Sequence, residues 1–345
     1  MINGMQSALV KFLFRLPNPI LKLLTRGKTI TVGGRTMTPG TQILLHILEK
    51  RRPTKDLSNA DPKKLRVLYD KMAGSLDRKA APLKIKDHEL DVDQGTIPIR
   101  EYIPDHIEDR GNALIYFHGG GMVLCSIKTH DILCRHLANQ LGWKVFSIGY
   151  RLAPEHQYPV PLNDCESAFD WIADNADDFN IDSGKLAVGG DSAGGNLAAS
   201  LCVRRKEESK SMPNKQLLIY PATDWAGSYQ SRKDYAEGFF LTLDLMKWFT
   251  NHYVVDDKDS KNIYVSPIRY NNPAGLPDAV VVTAGFDPLR DEGIAYAKHL
   301  RDAGVKVIER EHEGTIHAFA NFTIEPLAYR AVVQMAQDLK TITEQ

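Results

Sequence analysis

The sequence predicts an α/β fold in which a mostly parallel sheet of about eight strands is flanked by helices. Short apolar segments alternate with segments of helical periodicity from residue 114 onward. This alternation is typical of a parallel sheet that helices cover on both faces. The segment 279–282 is apolar without interruption, as expected for a strand buried on both sides. An antiparallel pair, 85–92 and 96–103 around a turn at 93–95, precedes the alternation.

The individual elements follow from apolar patterning between turn residues. The strands expected in the alternating part are short and apolar: 114–117, 145–150, 186–188, 217–220, 279–284 and 305–309. The helices expected between and after them have apolar residues at helical spacing: 131–141, 164–176, 196–205, 292–303 and 326–339. The strand at 217–220 leads into a longer segment, in which a helix is expected at 243–254.

Two parts of the chain are expected to form a cap over a catalytic domain of residues 81–345. Residues 1–80 show helical spacing of apolar residues and are predicted to be the N-terminal cap helices. Residues 223–277 interrupt the alternation and are rich in aromatic residues; a structureless loop of that length would be unusual. Because ligands bind outside the carboxyl ends of the strands in open α/β sheets, the cap is predicted to cover that edge.

The apolar N-terminal segment allows two interpretations. It is either an amphipathic segment that contacts lipid or a helix that covers part of the protein itself. We expect the second, with one apolar face buried: Leu9, Phe12, Leu13 and Leu16. Lys11 and Arg15 interrupt the apolar run and no small-residue cleavage site follows, which argues against a signal peptide. No stable membrane insertion is predicted, and the expected location is the cytoplasm.

The composition argues against several classes of partner. The 345 residues include 43 basic and 43 acidic side chains, a balance that gives no support to a nucleic-acid or anionic-membrane partner. The cysteines lack zinc-type spacing and are expected to be buried free thiols: Cys125, Cys134, Cys165 and Cys202. No metal or organic cofactor is predicted, and a small neutral substrate fits this composition.

Two glycine-framed motifs predict nucleophilic chemistry at one edge of the sheet. The motif 190–194, Gly-Asp-Ser-Ala-Gly, stands between a predicted strand and a predicted helix, which is typical of a serine nucleophile on a sharp turn. The motif 118–121, His-Gly-Gly-Gly, follows the strand at 114–117, where backbone N–H groups can receive an oxyanion. We predict Ser192 as the nucleophile. The predicted oxyanion donors are the N–H groups of Gly119, Gly120 and Ala193.

A serine nucleophile needs a histidine base, which in such folds follows both the serine and the acid in the chain. Two histidines, His312 and His317, come after the last predicted strand. Gly314 gives the loop of His317 the freedom to turn, whereas His312 is still close to the strand end. We therefore predict His317 as the base.

The acid that orients this base is expected at the end of the penultimate strand. Asp287 stands there, in the segment 284–288 that leaves the strand. Asp291 and Glu292 come one turn later, in positions typical of acids in a first helical turn. Two other polar residues adjoin the motifs and are expected to have structural roles: Asp191, and His118 as a residue that holds the glycine loop by hydrogen bonding.

Four motifs together resemble the hormone-sensitive-lipase family, in its bacterial carboxylesterase branch of the α/β hydrolases. They stand at 118–121, 150–155, 190–195 and 287–293, and the resemblance runs from about residue 83 to the C-terminus. It implies the α/β-hydrolase fold, a triad of Ser192, Asp287 and His317 and the oxyanion hole named above. It also implies that the N-terminal helices are a cap, and it leaves a homodimer open. Cys125 stands where similar esterases usually carry a glycine.

These features favour a carboxylic-ester hydrolase that acts on short- to medium-chain acyl esters through an acyl-Ser192 intermediate. An amidase or acyltransferase is an alternative, because the same nucleophile and oxyanion hole serve any acyl transfer. A small-molecule receptor on the same scaffold is a further alternative. The plant gibberellin receptors, which resemble this family, have lost the catalytic histidine, whereas His317 is present here.

Overall fold

The computed structural model describes residues 10–52, 54, 57, 60–107 and 110–344. Its strands, numbered in chain order, are β1 Thr31–Val32, β2 Arg35–Thr36, β3 Lys84–Val92, β4 Gly95–Ile103, β5 Gly111–Phe117, β6 Lys144–Ile148, β7 Ile181–Asp191, β8 Lys215–Ile219, β9 Asp278–Phe286 and β10 Val307–Ile316.

The α-helices are numbered in the same way, and the described residues also form three short 3-10 helices. The α-helices are α1 Asn18–Leu24, α2 Pro39–Arg51, α3 Pro62–Met72, α4 Ile127–Leu141, α5 Val160–Asp174, α6 Ala193–Glu207, α7 Gln230–Asp234, α8 Leu243–Tyr253, α9 Arg290–Asp302 and α10 Pro326–Glu344. The 3-10 helices are Asp257–Lys261, Pro267–Arg269 and Phe319–Asn321.

Strands β3 to β10 form one eight-stranded sheet in the order β10-β9-β8-β7-β5-β6-β4-β3. All neighbours from β10 to β6 pair in parallel, whereas β4 pairs antiparallel with both β6 and β3. This arrangement confirms the predicted fold class, including the antiparallel pair that precedes the alternating part. The helix expected at 243–254 is α8, at Leu243–Tyr253.

The sheet is buried on both faces, which explains the uninterrupted apolar strands. Successive residues of β5 point to opposite sides: Ile115 belongs to a cluster with Leu197 of α6, and Leu114 to a cluster with Leu137 of α4 and Val332 of α10. Each of these side chains is fully buried, which stabilises the fold by roughly 1.5–3 kcal/mol per residue. The helices on the two faces therefore fix the positions of the strand ends.

The N-terminal helices contact the segment 223–277 beside the carboxyl edge of the sheet. A separate apolar cluster joins Leu44 and Leu48 of α2 to Tyr235 and to Phe286, the last residue of β9. Both parts of the expected cap therefore share one core.

The expectation of a buried N-terminal face is only partly met. Phe14 is buried in the cluster just described, and Leu13 and Leu16 are partly buried. The expectation for Phe12 is wrong, because its side chain is 59% exposed; Phe14 is the phenylalanine that faces the body. Leu9 lies outside the described residues. Within the described part of the chain, no helix has the length and apolarity needed to cross a bilayer.

Candidate active site

Ser192 stands on a sharp turn between β7, which ends at Asp191, and α6, which begins at Ala193. Its backbone has φ 56° and ψ −116°, a strained conformation for a residue with a side chain. The flanking glycines make this turn possible. A Cβ on Gly190 would collide with the backbone of Gly194, and a Cβ on Gly194 with the carbonyl of Phe117.

The structure brings the three predicted triad residues together. Nδ1 of His317 donates to Oδ2 of Asp287 over 2.7 Å, so Nε2, which lies 3.0 Å from Oγ of Ser192, is free to accept the hydroxyl proton. Asp287 follows β9 and His317 follows β10, so both extend from neighbouring strand ends. Oδ1 of Asp287 accepts from the Leu289 N–H over 2.8 Å. The carboxylate is thereby fixed beside the imidazole.

None of the competing residues contacts the Ser192 hydroxyl or the His317 ring in the described part of the chain. Burial lowers the pKa of His312 to about 4, and its Nε2 has no hydrogen-bond partner among the described residues. Asp291 accepts from the Ser231 N–H and from Arg290. Glu292 accepts from Arg232 and from two backbone N–H groups, while burial raises the pKa of its carboxyl to about 7. These acids anchor the segment 223–277 to α9.

The oxyanion prediction needs a correction at Gly119. Its N–H donates to Oδ1 of Asp191 over 3.0 Å, so this amide is already occupied and does not point into the cavity. Gly120 and Gly121, by contrast, line the cavity together with Ala193. Their N–H groups donate to no acceptor in the described part of the chain. The third glycine of the motif, which the sequence interpretation left out, therefore lies at the cavity where the first was expected.

Asp191 connects several parts of the site. In addition to Gly119, its carboxylate accepts from Tyr116 Oη at 2.8 Å and from Asn321 Nδ2 at 3.1 Å. Its Oδ1 and Oδ2 lie 3.1 and 3.3 Å from His130 Nε2. Burial alone would raise the pKa of Asp191, but the charge and hydrogen bond of His130 and the hydrogen bond of Tyr116 lower it to about 2. The structural role expected for Asp191 is thus that of a buried anion beneath the glycine loop.

His118 contributes to the same loop through its ring and its carbonyl. Its Nδ1 lies 2.7 Å from the Gly119 carbonyl, and Tyr150 Oη donates to the His118 carbonyl over 2.6 Å. Burial lowers the pKa of His118 to about 3, so the imidazole stays neutral in the fold. This position fits the structural role expected for His118.

A cavity of about 220 Å³ lies against Ser192. Its walls are mostly apolar and come from both parts of the expected cap and from the glycine loop. The apolar lining residues include Leu48, Tyr69, Met72, Leu76, Leu124, Trp225, Phe240, Leu241, Leu245, Met246, Phe249, Leu289 and Phe322. Such a site suits a small apolar group placed next to the nucleophile.

Cys125 lines the same cavity in a backbone conformation that favours glycine, with φ 71°. This conformation gives a physical reason for the glycine of similar esterases. Burial raises the pKa of the Cys125 thiol to about 12, so the sulfur is a poor nucleophile. Among the described residues, no three His, Cys, Asp or Glu side chains are close enough together to hold a metal ion.

Comparisons with known proteins agree with this geometry. A family model described as "alpha/beta hydrolase fold" matches residues 114–321. The carboxylic ester hydrolase LipN of Mycobacterium tuberculosis is 35% identical over 90% of this chain and 84% of its own. An arylesterase of Saccharolobus solfataricus is 38% identical over 69% of this chain and 75% of its own.

The chain is also similar to solved structures of esterases. The ester hydrolase EH1Ab1 from the metagenome of Lake Arreo is 38% identical, with a TM-score of 0.85 over 90% of this chain and all of its own. The hyperthermophilic esterase of Pyrobaculum calidifontis is also 38% identical, with a TM-score of 0.80 over 87% of this chain and 97% of its own.

The fold and the serine–histidine–aspartate geometry define an α/β hydrolase. Within that superfamily the chain belongs to the hormone-sensitive-lipase-like family of carboxylesterases. It is a carboxylic-ester hydrolase.

Proposed function

We propose that this carboxylic-ester hydrolase cleaves short- to medium-chain acyl esters through an acyl-Ser192 intermediate. The observation that carries the proposal is the continuous chain of contacts from Ser192 through His317 to Asp287, with distances of 3.0 and 2.7 Å. These distances are those of a nucleophile in contact with its base and of a base held by its acid.

The proposed reaction begins when Oγ of Ser192 attacks the ester carbonyl carbon and its proton passes to Nε2 of His317. The carbonyl oxygen gains a negative charge, which the N–H groups of Gly120, Gly121 and Ala193 are placed to stabilise. The C–O bond then breaks, and the alkoxide leaves with the proton from His317 as an alcohol. Water, deprotonated by His317, attacks the acyl-enzyme and releases the carboxylic acid and Ser192. Asp287 stabilises the imidazolium in both steps.

The proposed preference for short acyl groups rests on the walls of the cavity. The ring of Phe249 lies directly over Gly121, and Leu245, Met246 and Tyr69 also line the space. A cavity of about 220 Å³ suits a few methylene groups better than a long alkyl chain. We assign residues 1–80 and 223–277 as the cap that provides these walls.

The test is a comparison of p-nitrophenyl esters from acetate to palmitate with the anilide that matches the butyrate ester. We expect the highest kcat/KM between about two and eight acyl carbons and little turnover of the anilide. Faster cleavage of palmitate than of butyrate would contradict the proposed chain length. Faster cleavage of the anilide would favour the amidase alternative, and acyl transfer to an added alcohol in preference to water would favour the acyltransferase.

Two further proposals concern location and assembly. The four cysteines are free thiols, which supports a reducing compartment such as the cytoplasm. The homodimer that the resemblance leaves open stays a prediction, and sedimentation equilibrium of the purified chain tests it.

A further inference from the structure

The segment 12–28 exposes apolar side chains on the side opposite to its packed face. Phe14 and Leu21 are buried and hold the segment to the body. Four other large apolar residues face solvent, with exposed fractions of 59%, 44%, 76% and 53%: Phe12, Ile20, Leu23 and Leu24. The last three belong to α1 and have the spacing i, i+3 and i+4, so they form one stripe on the helix. We call the four residues the apolar stripe.

The charge around this stripe differs from that of the rest of the chain. Residues 1–48 contain six of the 43 basic residues and none of the 43 acidic residues. The remaining chain therefore has six more acids than bases, and the overall neutrality conceals a basic N-terminal part on an acidic body. One of the six basic residues in 1–48, Arg35, forms an ion pair with Glu311.

The other five basic residues are exposed and lie beside or between the stripe residues along the chain: Lys11, Arg15, Lys22, Arg26 and Lys28. None of them forms an ion pair with an acidic side chain in the described part of the chain. Exposed leucine and phenylalanine side chains interleaved with unpaired cations are typical of segments that lie in a membrane interface. There the cations stay at the level of the lipid headgroups while the apolar side chains enter the acyl boundary.

A protein partner fits this face less well than a lipid surface. Lys22 and Arg26 alternate with Leu23 and Leu24 along the chain. A protein interface that buried the leucines would also take these cations out of water, which is costly unless each meets an acid. A bilayer has no such requirement. We propose that the apolar stripe and its five cations bind the surface of an anionic phospholipid bilayer, with the chain adsorbed to the membrane and not spanning it.

The test is flotation of the full-length protein with two kinds of vesicle, phosphatidylcholine alone and phosphatidylcholine with about one-third phosphatidylglycerol. We expect strong binding to the anionic vesicles, weak binding to the neutral ones and release by salt. Lys22→Gln with Arg26→Gln is expected to weaken anionic binding roughly 25-fold, since each cation near the surface contributes about 1 kcal/mol, or about fivefold. Leu23→Ser with Leu24→Ser is expected to abolish the binding that persists at high salt.

Val255→Ser is the matched control, because Val255 is 66% exposed outside this segment and the substitution should leave binding unchanged. Hydrolysis of a water-soluble butyrate ester checks that every variant is folded, because none of these residues lines the cavity. Absence of binding to anionic vesicles, or binding by both double variants that equals that of the native chain, would overturn the proposal. A dimer that the leucine variant breaks, without any vesicle binding by the native chain, would instead identify the stripe as an interface between two copies.

Discussion

Nδ2 of Asn321 lies 3.1 Å from Oδ2 of Asp191, so the residue before Ser192 is hydrogen-bonded to the segment that carries His317. The same carboxylate accepts the N–H of Gly119. One buried anion therefore holds the glycine loop, the nucleophile turn and the 3-10 helix after His317 in a fixed relation. Correct placement of these three parts is a large contribution to catalysis.

Asp191→Asn should lower kcat roughly 10- to 100-fold, with a smaller change in KM. The amide would place a donor against either Gly119 or Asn321, so one of the two contacts is lost. Asn321→Ala removes a single contact and should cost less, about three- to tenfold. Steady-state kinetics with a butyrate ester measure both effects. If both variants kept the native kcat, the hydrogen bonds of Asp191 would support only the fold and not catalysis.

Ser192→Ala should abolish ester hydrolysis, with a loss in kcat of at least about 10⁴-fold, and leave the fold intact. Ser200→Ala is the matched control, because Ser200 is a buried serine on α6 whose hydroxyl has no hydrogen-bond partner in the structure. Its replacement should leave kcat within about twofold. Assays are combined with circular dichroism. Substantial residual turnover in Ser192→Ala would mean that another group is the nucleophile.

His317→Ala should be nearly as severe as loss of the nucleophile, because no other imidazole lies within hydrogen-bond reach of Ser192 among the described residues. His312→Leu should retain most of kcat, since His312 contacts Phe319 and not the hydroxyl. The two variants are compared in the same butyrate assay. The reverse order of activities would assign the base to His312.

His312 should also make stability depend on pH. Burial lowers its pKa from about 6.5 to about 4. Below pH 6.5 the unfolded chain therefore binds a proton that the folded chain does not, and the free energy of unfolding falls as the pH drops toward 4. The full difference is about 3 kcal/mol. Urea unfolding of the native chain and of His312→Leu at several pH values isolates this contribution. If the difference in free energy of unfolding between the native chain and His312→Leu stayed constant from pH 7 to 4, the prediction for His312 would be wrong.

Phe249→Ala should extend the range of acyl chains. The ring closes the cavity over Gly121, so its removal should raise the ratio of kcat/KM for decanoate to that for butyrate by roughly tenfold. Phe239→Ala is the control, because Phe239 packs against Tyr235 and does not line the cavity. An unchanged ratio in Phe249→Ala would mean that another wall limits the chain length.

Much of the fold and of the candidate site could be predicted because each signal is local. Apolar runs between turn residues predicted the strands, and glycines predicted the turn at Ser192, where a Cβ at Gly190 would collide with the backbone. Asp287 and His317 were predictable because each follows one of the last two predicted strands and because they come after Ser192 in the expected chain order. Parallel strands place such residues at one edge, so sequence order becomes proximity.

The remaining features depend on contacts between distant residues. The Gly119 amide is occupied by a carboxylate 72 positions away, and no local pattern distinguishes it from the amide of Gly121. Asn321 has no sequence signal, because an asparagine after the base loop is common in any turn. The exposure of Phe12 was missed because the spacing of apolar residues predicts an apolar helix face. It does not show which of these side chains pack against the rest of the protein.

The ring of Phe249 lies so close to Gly121 that a Cβ added there would come within 2.2 Å of a ring carbon. Phe249 belongs to α8, so a helix of the proposed cap packs directly on the loop that lines the cavity beside Ser192. The acyl-binding wall and the glycine loop are therefore not independent of each other, and a larger side chain at either position would displace the other.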